Sequence, residues 1–118
     1  MPRYSIPRPD AIRLRHMLDA AREALEFAQG KTEYDIGDDR RLVLSLVKEI
    51  EIIGEAAGKV SEPTRRQFPQ IPWQDIVDMR NRLIHVYFDI DVGVVWDTVS
   101  QDLRPLAAAL ETVLKPEP

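Results

Sequence analysis

The chain of 118 residues contains no cysteine, which excludes a disulfide framework and a thiolate metal site. It lacks any apolar run near the roughly 20 residues of a membrane-spanning helix, the longest being a few residues around Ile52 and Val94. Nothing near its start joins a basic segment to an apolar one as a secretory leader does. No membrane association and a cytoplasmic location are therefore expected. Positive charge is short as well: 16 Lys+Arg stand against 20 Asp+Glu, a net charge of −4 at a pI near 5.2. Proteins that coat nucleic acid through a general positive field are usually basic overall, so contact with a polyanion must here be local. Internal repeats, low-complexity segments and a second domain are also missing. At this length a single domain over residues 1–118, with its core over about 10–114, buries about two thirds of its surface unaided.

What charge there is alternates along the chain. Residues 1–30 carry 5 basic and 4 acidic groups and residues 31–58 carry 4 and 7. Residues 59–90 carry 5 and 4, and residues 91–118 carry 2 and 5. The third stretch holds Lys59, Arg65, Arg66, Arg80 and Arg82. Arginine is the better fork for phosphate, so this is the expected local basic cluster.

The apolar period is helical throughout. Leu14, Met17, Leu18, Ala21, Leu25 and Ala28 predict a helix from about Asp10 to Gln29, stopped by Gly30. Asp38 is the expected N-cap of a second helix, striped by Val43, Leu46, Val47, Ile50, Ile53 and Ala57 and ending near Val60. Ser61, Glu62 and Pro63 open a short turn of helix that Pro69 closes, and Pro72 begins another with Ile76, Met79, Leu83 and Val86 inward. Asp91 caps the last helix, which carries Val92, Trp96, Val99, Leu103, Leu106, Leu110 and Val113. Pro105 falls inside it and should kink it, because proline removes an i to i−4 hydrogen bond. Short connections imply antiparallel packing, so the expected class is an all-α, up-and-down bundle of four to five helices. Ile52 beside Ile53, and Val94 to Trp96 in a row, put apolar surface off any single bundle axis, which a dimer would bury.

One segment is dense in chemistry: Arg80, Asn81, His85 and Tyr87 lie within eight positions. His85 is one of two histidines, and an imidazole titrates near the pH at which proton transfer is needed. At about 100° per residue, Arg80 and Tyr87 fall about 20° apart on a helix, but Arg80 and His85 about 140° apart. Convergence of Arg80 and His85 thus requires the helix to bend near His85 or two chains to share the site. The same residues have plain structural uses: His85 on terminal carbonyls, Arg82 paired with Asp78, Tyr87 as an anchor. His16 has no such neighbourhood and reads as a surface or groove residue.

Arg80-x4-His85-x-Tyr87, within Arg-Asn-x3-His-x-Tyr and preceded by Ile71-Pro72-Trp73, resembles the HepT-like toxins of the HEPN superfamily, prokaryotic helical ribonucleases. Ile53-Gly54-Glu55-Ala56, the turn from Pro69 to Trp73, Val95-Trp96 and Leu103-x-Pro105 extend the likeness over residues 10–114. The resemblance implies a HEPN-like fold and a metal-independent endoribonuclease without cofactors, the toxin of a type VII-like toxin–antitoxin system. It implies a homodimer whose interfacial cleft pairs Arg80 and His85 as catalytic residues from each subunit, with RNA as substrate. Asn81 is expected to orient the phosphate or His85. Glu55 reads either as a supporting carboxylate of the site or as an ordinary polar residue near a helix end. The partner implied is a minimal nucleotidyltransferase antitoxin that neutralises the toxin by adenylylating Tyr87. Two other readings stay open: a non-catalytic helical subunit that docks a nucleotidyltransferase, and a bundle that binds nucleotide through Arg80 and Tyr87.

Overall fold

The computed structural model describes residues 6–85 and 89–115, the side chains of Ile84 and His85 excepted. It is an all-α bundle built from α1 (Arg8–Ala28), α2 (Glu33–Asp38), α3 (Arg40–Lys59), α4 (Glu62–Gln67), α5 (Trp73–Leu83), α6 (Val92–Asp97) and α7 (Leu103–Leu114). α1 packs between α3 and α7, and α3 in turn packs on α5. The predicted stripes meet in one core: Leu14, Met17, Leu18 and Ala21 of α1, Leu46, Ile50, Ile53 and Ala57 of α3, Ile76 and Leu83 of α5, and Leu103 and Leu110 of α7 are all buried.

The ends of the elements follow from side-chain chemistry. Gly30 stops α1 with a φ of 76°, a left-handed geometry that glycine adopts freely. The cap of α3 is Asp39, one residue past the expected Asp38: its Oδ1 accepts from the Leu42 amide at 3.1 Å. Asp38 instead ends α2, a short helix the apolar period does not reveal because only Ile36 is buried on it. A reciprocal cap starts α2, the Thr32 amide donating to Asp35 Oδ2 and the Asp35 amide to Thr32 Oγ1. Asp91 caps α6 as expected, accepting from the Val94 amide at 3.1 Å.

Two departures matter for the site. α5 ends at Leu83, where the Asp91 amide takes the Leu83 carbonyl at 2.7 Å. Ile84 and His85 (β1) then pair antiparallel with Asp89 and Ile90 (β2), Ile84 opposite Ile90. The last helix is irregular ahead of its proline: residues Thr98–Asp102 form a π segment between α6 and α7. Proline offers no amide to a carbonyl one turn back, and the wider turn absorbs that deficit just before Pro105.

Among the described residues two carboxylates are buried. Asp10 accepts from the Ser61 amide at 2.9 Å and from the hydroxyls of Ser61 and Thr64, both at 2.5 Å. It thereby ties the start of α1 to the chain leaving α3. Burial pushes its carboxyl up, but the hydrogen bonds from Ser61 and Thr64 more than offset this and hold it below the usual carboxylate range. Glu49, facing Glu23 across α1 and α3, is 4% exposed. Its Oε2 has no hydrogen-bond partner among the described residues. Burial, then the hydrogen bond and negative charge of Glu23, push its pKa up to about 7.

Candidate functional site

The helices α3 and α5 approach closely because Gly54 presents no side chain. A Cβ built there would stand 3.1 Å from the Ile76 carbonyl oxygen, tighter than ordinary contact. One turn on, Gly58 leaves room for Val77, whose Cγ2 would meet a Cβ at 4.0 Å. Between the two helices runs a groove of about 430 Å³ lined by Glu51, Gly54, Glu55, Gly58, Val77 and Arg80. Arg80 stands at its lip with a side chain 62% exposed, its Nε 3.8 Å from Oε1 of Glu51. An ion pair so long and so open to solvent is weak, so the guanidinium is available to an incoming anion.

Of the residues expected at the site, Arg80 and Glu55 share this groove. Glu55 also meets Lys59 Nζ at 3.4 Å, one turn along α3, in a solvent-exposed pair. Asn81 is exposed on α5 next to Arg80. Of the two alternatives left by the 140° separation of Arg80 and His85, the first is met by more than a bend: α5 stops at Leu83, and the backbone of His85 lies in β1 opposite Asp89. The helical face expected to carry both Arg80 and Tyr87 stops with it. Tyr87 and Val86, and the side chain of His85, lie outside the described residues.

The basic cluster expected from residues 59–90 is dispersed by packing. Arg65 donates to the carbonyls of Ala57 (2.9 Å) and Val60 (3.1 Å), closing the end of α3, and its guanidinium lies 5.9 Å from the Trp73 ring centroid. Trp73 fixes the turn before α5 by donating its indole N–H to the Phe68 and Arg65 carbonyls. Arg66 pairs with Glu62 at 3.0 Å. Arg82 bonds the Asp75 carbonyl at 3.2 Å rather than Asp78, which accepts from Gln74. Arg82 lines a separate recess of about 410 Å³ between α5 and α7, away from Arg80. Arg80 is thus the arginine of that stretch that meets the α3–α5 groove. Glu51 is its neighbour there, and its only trace in the sequence is its place one turn before Glu55 on the same face of α3.

No helix of the described residues is long and apolar enough to cross a membrane. The chain matches the family model described as Ribonuclease HepT-like over residues 17–113. It is 34% identical over 102 residues to a protein of Thermococcus cleftensis named "Probable ribonuclease HepT", covering 83% of this chain and 93% of that one. A Methanocaldococcus jannaschii protein provisionally named as an RNase is 31% identical over 97 residues, 82% of this chain and 89% of its own. Another, from Caldanaerobacter subterraneus and named in the same way, is 31% identical over 111 residues, 94% and 96% of the two chains. No solved structure matches the chain.

Proposed function

Because the chain belongs to the HepT-like ribonuclease family, we propose that it is a metal-independent endoribonuclease and the toxin of a cytoplasmic toxin–antitoxin pair, acting as a homodimer. The observation that carries the reading is an exposed, weakly held Arg80 at the lip of a groove, with α5 ending between it and His85. In the reaction, His85 takes the proton of an RNA 2′-hydroxyl, and that oxygen attacks the adjacent phosphorus. The bond from phosphorus to the 5′-oxygen breaks, and His85 of the partner subunit protonates the leaving oxygen, leaving a 2′,3′-cyclic phosphate. Arg80 steadies the charged phosphorane, and Asn81 orients the phosphate. General acid–base help is worth roughly 10²- to 10⁴-fold and an electrostatic stabiliser roughly 10²- to 10³-fold.

The dimer is supported by apolar surface beside the groove. Leu44 is 45% exposed and continues, in helical steps, the outward face of α3 that carries Glu51 and Glu55. Control of the toxin falls to a nucleotidyltransferase antitoxin that moves AMP from ATP to the Tyr87 hydroxyl with loss of pyrophosphate. The new phosphodiester then competes with RNA for Arg80.

Purified protein incubated with RNA in excess chelator tests the reading. Cleavage with cyclic phosphate ends is expected, and Arg80→Ala or His85→Ala should lower it by at least about 10²-fold while the dimer stays folded. Cleavage at the wild-type rate by either variant would sink the assignment. Intact-mass analysis after coexpression with the neighbouring gene should find AMP on Tyr87.

A further inference from the structure

We propose a second phosphate subsite for the RNA strand, built by Arg13 and His16 of α1 and Lys59 of α3, on the far side of Glu55 from Arg80. It rests on the ribonuclease reading and extends it from one phosphate to a strand path. Arg13, His16, Ile52, Glu55, Ala56 and Lys59 line a shallow groove of about 150 Å³ between α1 and α3. Glu55 also lines the α3–α5 groove, so the two adjoin across one side chain.

Three nitrogen-bearing side chains face one carboxylate in the α1–α3 groove. Arg13 is half-buried and has no carboxylate partner among the described residues. Lys59 is held by Glu55 alone, at 3.4 Å with both side chains more than half exposed, a tie that a phosphate can displace. The C-terminal end of a helix normally repels anions, but at α3 Arg65 covers the Ala57 and Val60 carbonyls. The lining therefore sets two cationic side chains, Arg13 and Lys59, against the single carboxylate of Glu55 in a chain of net charge −4.

The spacing suits a strand. Glu51, Glu55 and Lys59 mark successive turns of α3, about 6 Å apart along its axis. Arg80 stands beside Glu51, so about 12 Å separates its level from that of Lys59, a span that a few nucleotides of single-stranded RNA bridge. Adjacency to the Arg80 groove favours RNA over an acidic protein segment as the occupant. The two least acidic stretches of the sequence, residues 1–30 and 59–90, meet here through Arg13, His16 and Lys59.

A 2′-O-methyl single-stranded oligonucleotide, which cannot be cleaved by 2′-hydroxyl attack, tests the subsite by fluorescence anisotropy across a salt series. The Arg13→Gln/Lys59→Gln double variant should bind roughly tenfold more weakly at low salt, with a log–log salt slope shallower by about 1.4. Arg13→Lys/Lys59→Arg should bind as wild type does, which separates charge from packing. Unchanged affinity and slope in the Gln variant would overturn the proposal and leave the groove to an acidic protein partner. Equal loss of binding in the charge-conserving variant would also overturn it. Because the probe is uncleavable, a wild type that binds it through these groups yet leaves unmodified RNA intact would sink the ribonuclease reading while supporting the subsite.

Discussion

Asp10 and Glu49 are both buried carboxylates, and their surroundings drive them in opposite directions. The Asp10 carboxyl is held down by its three donors, so its contribution to stability is complete above the ordinary carboxylate range and is lost as pH falls through its lowered value. Asp10→Ala should cost about 2–4 kcal/mol in urea denaturation, since it also leaves the Ser61 amide and the Thr64 hydroxyl without their acceptor. Glu49 is raised from 4.5 to about 7, so the fold favours its protonated form. Stability from that group is complete below about 4.5 and lost as pH climbs to about 7, about 3 kcal/mol in all. Glu49→Gln should therefore raise the melting temperature above pH 7 and change it little in mild acid. A melting curve for that variant displaced equally at both pH values would contradict the assignment.

The long helices were legible in the sequence because a 3.6-residue stripe repeated over twenty residues leaves few other ways to bury its apolar atoms. Shorter devices were not. α2 buries a single side chain, α5 is stopped by an amide eight residues downstream, and the strain of Pro105 is taken up by residues ahead of it. The site was half legible. Arg80 stands out in its motif, but Glu51 reaches it only through the packing of α3 on α5, and the apparent arginine cluster dissolves once Arg65 and Arg66 find local partners. That packing depends on Gly54. Gly54→Val would drive a branched side chain at the Ile76 carbonyl and should destabilise the protein by about 1–3 kcal/mol. Because α5 would shift with Arg80 on it, RNA cleavage should fall further than the change in melting temperature accounts for, read by comparing the two at a temperature where the variant is folded.

The molecule measures 51 × 30 × 19 Å, and its thin dimension is about two helix diameters. A slab so thin leaves many side chains with only one neighbouring layer, which is why Ile12, Phe27 and Leu44 remain exposed and why sedimentation should report a dimer. The acidic balance found in the sequence persists, and of its basic groups Arg13, His16 and Lys59 line one groove and Arg80 the adjoining one. Binding of RNA should accordingly release few counterions. Arg80, Arg13 and Lys59 together give a log–log salt slope of about −2 per subunit for a single strand, and a slope many times steeper would mean that the protein engages RNA by a broad surface instead. The Asp10 tie also sets an order in time. Its partner Ser61 lies 51 positions later in the chain, a delay of about 3–10 s at ordinary rates of synthesis. For that interval α1 lacks the strap that fastens it to α4. A released chain truncated before Ser61 should therefore leave α1 open to proteases, while one that extends past residue 64 holds both partners of the latch.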